Sequence, residues 1–162
     1  MTESIQLKII DKVVRRESAV YDVVYFYGDH QSTQSVVNKI ESVYKERFAT
    51  SVIVRTTAAE IWQKKYLEIR NGIFYSPAPV CDLYILEHIE EIAGREVIEQ
   101  HLYGVLDSLL ERGKQIIITG SEPAMNLLTL APRIRAQIDG GLALSADAET
   151  VNYSAESYHT FY

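Results

Sequence analysis

The chain is short of most features that would mark a secreted, membrane-bound or polyanion-coating protein. It holds one cysteine, Cys81, in 162 residues, so no internal disulfide can form, and such usage suits a reducing cytosol. No apolar run approaches the ~20 residues that cross a bilayer. The start, Met1-Thr2-Glu3-Ser4, lacks the basic and then apolar order of a secretory leader. Positive charge is also scarce. The 16 Lys and Arg face 22 Asp and Glu, a formal net charge of -6, which argues against duplex DNA as a general partner and confines any nucleic-acid contact to a local patch. No repeat or low-complexity tract breaks the chain. These absences predict a cytoplasmic protein with no membrane partner.

What is present suffices for one core. Hydrophobic residues make up 47% and charged ones 23%, a globular balance, and the length fits a single domain. Strand-length apolar runs alternate with helix-length amphipathic segments, which predicts a three-layer α/β domain on a mainly parallel sheet of about five strands. The expected strands are Val23–Tyr27, Ser51–Arg55, Leu83–Glu87, Gln115–Thr119 and Gly141–Ser145. Thr33–Phe48, Ala58–Asn71 and Arg95–Glu111 carry helical spacing, the last closed by Gly113 as a C-terminal cap. Ser4–Glu17 reads as an amphipathic helix ahead of the first strand, within a core expected over 1–146. Ser76-Pro77-Ala78-Pro79 is a rigid entry to the third strand. From residue 147 to 162 the chain turns polar and tyrosine-bearing, with Tyr153, Tyr158, Phe161 and Tyr162 as a docking patch or a segment folded back on the domain.

The stretch richest in chemistry follows the first strand. In the pattern G-x-x-x-x-G-K-[ST], glycines let backbone N–H groups curl round phosphates, the Lys reaches the β and γ oxygens, and the hydroxyl holds Mg²⁺. Gly28 and Ser35 fill the first and last places of that frame, but Thr33 replaces the second glycine and Gln34 the lysine. A neutral amide gives up a charge-assisted contact of roughly 1.5–3 kcal/mol. The segment is either a residual nucleotide site or a strand-to-helix turn kept for folding, and the two losses favour the turn.

Four segments in order carry a family resemblance: Tyr25-Phe26-Tyr27-Gly28 with its loop, Cys81-Asp82-Leu83-Tyr84-Ile85-Leu86-Glu87-His88-Ile89, Gln115-Ile116-Ile117-Ile118-Thr119-Gly120-Ser121, and Arg133-Ile134-Arg135-Ala136-Gln137-Ile138-Asp139-Gly140-Gly141-Leu142. Together they resemble the AAA+ core of the bacterial chromosomal replication initiator DnaA and its shorter Hda-type relatives. The resemblance implies a P-loop NTPase fold and assigns roles by position. Where the family has paired acids for Mg²⁺ and the attacking water, this chain has Glu87 and His88; Glu90 and Glu91 are expected to face solvent. The polar sensor of the γ-phosphate matches Ser121, and the arginine inserted into a neighbouring ATP site matches Gln137. The family's α-helical lid and helix-turn-helix domain have no counterpart in the 162 residues.

Lys64, Lys65 and Arg70 lie on the helix that, in the initiator family, faces single-stranded DNA; a solvated basic face is the commoner explanation. Arg133 and Arg135 either contact a partner or lie over Tyr and Leu surface. Glu87 and His88 lack a third ligand in sequence reach, so no metal site and no catalytic residue is assigned. The expected function is a non-catalytic, DnaA-like AAA+ module that regulates replication initiation through contact with the full-length initiator, another AAA+ protein or its own copies. The alternative is a weak ATP- or ADP-binding protein, with Mg²⁺, using Gly28, Gln34, Ser35, Glu87 and Ser121 and showing little or no turnover. A receiver-like signalling domain, with Asp29 and Glu87 as its acids, ranks lowest because Leu142–Asp147 holds no lysine.

Overall fold

Runs in which almost every residue is apolar or β-branched have no polar face to give to water, so they seek the middle of a sheet covered on both sides. β1 (Val23–Tyr27), β3 (Leu83–Glu87) and β4 (Gln115–Gly120) do so and are buried nearly throughout. The structure, a computed structural model, describes residues 22–147. The expected helix at Ser4–Glu17 and the tail bearing Tyr153, Tyr158, Phe161 and Tyr162 lie outside the described residues. β2 (Ile53–Thr57), half-buried along its length, and β5 (Leu142–Ser145), alternately buried and exposed, take the two edges. The order is β2-β3-β4-β1-β5, and every neighbouring pair is parallel.

Parallel neighbours need crossovers, and helices supply them: α1 (His30–Arg47), α2 (Ala58–Arg70), α3 (Glu96–Glu111) and α4 (Pro132–Asp139). Alternation along the strands splits the core in two. Val24, Phe26, Ile85 and Ile117 meet Val36, Val37, Ile40 and Tyr44 of α1. On the other face Tyr25, Tyr84, Leu86, Ile116 and Ile118 meet α2, the long stripe of α3 and Ile134 and Ile138 of α4. The three-layer α/β architecture is thus as the periodicity predicts.

Local chemistry sets the boundaries. α3 ends in a Schellman turn: Gly113 takes φ +70°, Lys114 N–H reaches the Leu109 carbonyl at 3.0 Å and Gly113 N–H that of Leu110 at 3.0 Å. α2 starts in a reciprocal capping box, with Glu60 N–H on Thr57 Oγ1 at 3.1 Å and Thr57 N–H on Glu60 Oε1 at 2.9 Å. Thr57→Ala is therefore expected to cost about 1 kcal/mol in urea unfolding. β2 begins at Ile53 rather than Ser51, because Ser51 N–H closes a turn onto the Phe48 carbonyl and Val52 stays exposed. The helix expected from Thr33 already begins at His30, and that shift reshapes the mouth of the sheet.

Candidate functional site

Ligands of open parallel sheets sit beyond the carboxyl ends of the strands, so the chemistry belongs where β1, β3 and β4 stop. β1 passes through Gly28, at φ +147°, and Asp29 directly into α1. Asp29 is the N-cap: its carboxylate accepts Ser32 N–H at 2.8 Å and Ser32 Oγ at 3.0 Å, while its carbonyl accepts Thr33 N–H at 3.0 Å. Gly28 N–H is bonded across to the Gly120 carbonyl at 3.1 Å. A helix start favours negative charge, and here a side chain of the chain itself supplies it. The bond from Ser32 N–H, with that from its hydroxyl, holds the Asp29 carboxyl below the usual range.

At the end of β3, Glu87 is buried and grips Arg55 of β2 with both oxygens, Nε to Oε1 at 2.8 Å and Nη2 to Oε2 at 3.1 Å. The same guanidinium reaches Glu41 Oε1 and Asn38 Oδ1 of α1, each at 2.8 Å. Sequence reasoning missed Arg55, the centre of this network. An arginine inside the strand Ile-Val-Arg-Thr-Thr was the available signal, since a half-buried guanidinium requires carboxylate partners. A Mg²⁺ ion needs carboxylate oxygens that are not already neutralised, so this donor set does not fit one.

The next residue, His88, is the only non-glycine with positive φ among the described residues, at +60°. Its N–H donates to Thr119 Oγ1 at 3.0 Å, tying β3 to buried Thr119 of β4. Its ring lies 4.0 Å from that of His30, and His30 Nε2 stands 3.5 Å from Glu90 Oε2. Glu90 and Glu91 do not face solvent as expected. Glu90 accepts Ser121 N–H at 3.1 Å, and Glu91 accepts Ala59 N–H at 3.1 Å, because the 3₁₀ turn Ile89–Ile92 folds both back over the sheet edge.

A family model described as the bacterial DnaA ATPase domain matches residues 12–145. The chain belongs to the bacterial DnaA ATPase-domain family. Among curated proteins, the DnaA of Lachnoclostridium phytofermentans is 28% identical over 147 residues, covering 85% of this chain and 32% of that protein. The DnaA of Desulfotalea psychrophila is 22% identical over 124 residues, 75% of this chain and 24% of its own. The chain thus spans a third or less of these relatives. Domain III of the Thermotoga maritima DnaA superposes with a TM-score of 0.77 at 14% identity, covering 85% of this chain and 59% of that one. A replication initiator DnaA bound to AMPPCP and single-stranded DNA superposes with 0.74 at 17%, covering 90% and 47%. The shared architecture is the DnaA AAA+ fold, related to replication initiation.

Of the residues singled out from the sequence, Gly28, Glu87 and Ser121 gather at the sheet mouth, while Gln34 and Ser35 lie within α1 and are exposed. Lys64 and Arg70 are exposed on α2, but Lys65 is not part of a basic face. It is 4% exposed, and its ammonium donates to the Phe74 carbonyl at 3.2 Å and Ser76 Oγ at 3.4 Å, and pairs with Glu68 at 3.7 Å. Arg133 lies 4.3 Å over the Tyr103 ring, and Gln137 Nε2 donates to the Tyr103 carbonyl at 3.4 Å. Among the described residues no helix is long and apolar enough to cross a membrane.

Proposed function

We propose that this domain serves replication initiation as a DnaA-type AAA+ module that acts by contact with other proteins and does not turn over ATP. The observation that carries the reading is the internal use of the groups a nucleotide would need. Ser32 N–H and Thr33 N–H are taken by Asp29, Gly28 N–H by Gly120, and both Glu87 oxygens by Arg55. Gln34 in place of a lysine agrees with this. A triphosphate arriving here would displace a carboxylate and gain no ammonium, a net loss of charge-assisted bonds.

The partner is the full-length initiator or another AAA+ subunit. Gln137, at the place of the family's arginine finger, rests against the Tyr103 backbone on α3 and brings no charge to a neighbour. Such a subunit joins one face of a head-to-tail stack and offers no finger on the other, which caps growth. Two atoms of α4, Arg135 Nε and Gln137 Oε1, are buried without a hydrogen-bond partner among the described residues, a state that a docked protein or ordered water relieves.

Mixing the full chain with its cognate initiator is expected to give a complex at micromolar concentration by pull-down and light scattering. Absence of any association there ends the reading. Titration calorimetry with millimolar ATP or ADP is expected to give no binding heat; saturable heat favours instead a weak nucleotide-binding protein.

A further inference from the structure

We propose that His30, His88 and Glu90 form a binding site for a divalent transition metal of the zinc type. One ligand atom from each residue lies within 4.8 Å of the other two, the group of metal-ligand type found among the described residues. A tetrahedral zinc ion with bonds of about 2.0–2.1 Å places its ligands roughly 3.3 Å apart. His30 Nε2 and Glu90 Oε2 are already 3.5 Å apart; the His88 ring, stacked on that of His30 at 4.0 Å and 32°, has to turn out of the stack to aim a nitrogen at the same point. Two nitrogen donors with one carboxylate suit zinc, nickel or copper and disfavour magnesium, which asks for oxygen.

Three separate elements present these donors, and each is held in place. His30 is the first residue of α1, fixed by the Asp29 cap. His88 is held in the left-handed region by its N–H bond to Thr119, a conformation that costs a non-glycine residue of order 1–3 kcal/mol and directs its ring onto that of His30. Glu90 has one oxygen on Ser121 N–H, leaving the other toward His30, the outer-shell support that ligating carboxylates typically have. The His30 side chain is 62% exposed, so an ion enters from solvent and keeps an open coordination position. Bound there, it staples the start of α1 to the end of β3 across the sheet mouth. None of these three side chains carries the proposed function, so either reading stands or falls alone.

Zinc titrated into the full chain against a chromophoric chelator is expected to bind one ion per chain at micromolar affinity or tighter, undisturbed by millimolar magnesium. His30→Gln, Glu90→Gln and His88→Asn, the last chosen because asparagine tolerates left-handed backbone, are each expected to weaken it at least ~10-fold. His101→Gln leaves it unchanged. Cobalt in place of zinc is expected to give four- or five-coordinate visible bands that the same three variants abolish. Circular dichroism checks that they remain folded. Absence of stoichiometric zinc binding, or parental affinity retained in His30→Gln or His88→Asn, overturns the proposal.

Discussion

Arg55→Met is expected to destabilise the domain by about 3 kcal/mol, read as a lowered urea midpoint with an unchanged slope. The substitution keeps an unbranched, flexible stem and removes the guanidinium paired with both oxygens of Glu87, a side chain only 7% exposed. Stranding a buried carboxylate costs about 3–5 kcal/mol in general. The lower end applies because Arg55 and Glu41 each keep about a fifth of their side chains in water and Glu41 retains Lys45 at 3.3 Å. If Glu87→Met is added, most of the loss is expected to return, since an apolar pair of similar volume leaves no uncompensated charge. A double variant no better than the single one would show that packing, and not charge, dominates this corner.

The acid side offers an independent check. Burial pushes the Glu41 carboxyl up, but hydrogen bonds from Arg55 and Lys45 and their charges outweigh it and hold the group below the ordinary glutamate range. A folded-state value below the unfolded one contributes stability above the unfolded value, about 4.3, and loses it as pH falls through the folded one. In Arg55→Met the part of that depression due to the guanidinium is gone, and only the part due to Lys45 remains. The stability gap between parent and variant is therefore expected to narrow as pH drops below about 4.

What could be read from the sequence follows from the kind of signal each feature leaves. Continuous apolar strands such as Leu83–Glu87 announce a covered parallel sheet, and the stripe on Glu96–Glu111 announces the helix that covers it. The family positions at Gly28, Glu87 and Ser121 do converge at the sheet mouth. The occupants of those positions are another matter, because they depend on which strand lies beside which. Arg55 meets Glu87 only because β2 pairs with β3, and Glu41 only because α1 covers that edge. His30 and His88 meet through the tight β1–α1 turn, which the Asp29 cap fixes. Lys65 was more accessible. Ala58, Ile61 and Trp62 line one face at helical spacing, and Lys65 falls on that face, so its burial beside the Phe74 carbonyl was foreshadowed by its neighbours.

Gly120→Ala is expected to cost about 3 kcal/mol, the upper end for forcing an extra carbon into a packed interior. A Cβ there would overlap the Tyr25 hydroxyl oxygen and stand 2.9 Å from its Cζ. That ring cannot swing away: Tyr25 is fully buried in β1, and its hydroxyl donates to the Glu122 carbonyl at 2.6 Å. Tyr25→Leu also destabilises, but once the ring is gone the added methyl has room, so Gly120→Ala is expected to add almost nothing in that background. The coupling should approach the full cost of about 3 kcal/mol, at the strong end for residues in contact. The disturbance also has a direction. Gly120 follows Thr119, whose hydroxyl holds His88 in its left-handed turn, and displacing the end of β4 loosens the His88 ring against His30. Gly120→Ala should therefore weaken zinc binding as well as folding, and Tyr25→Leu should restore the affinity even though it does not restore the lost stability.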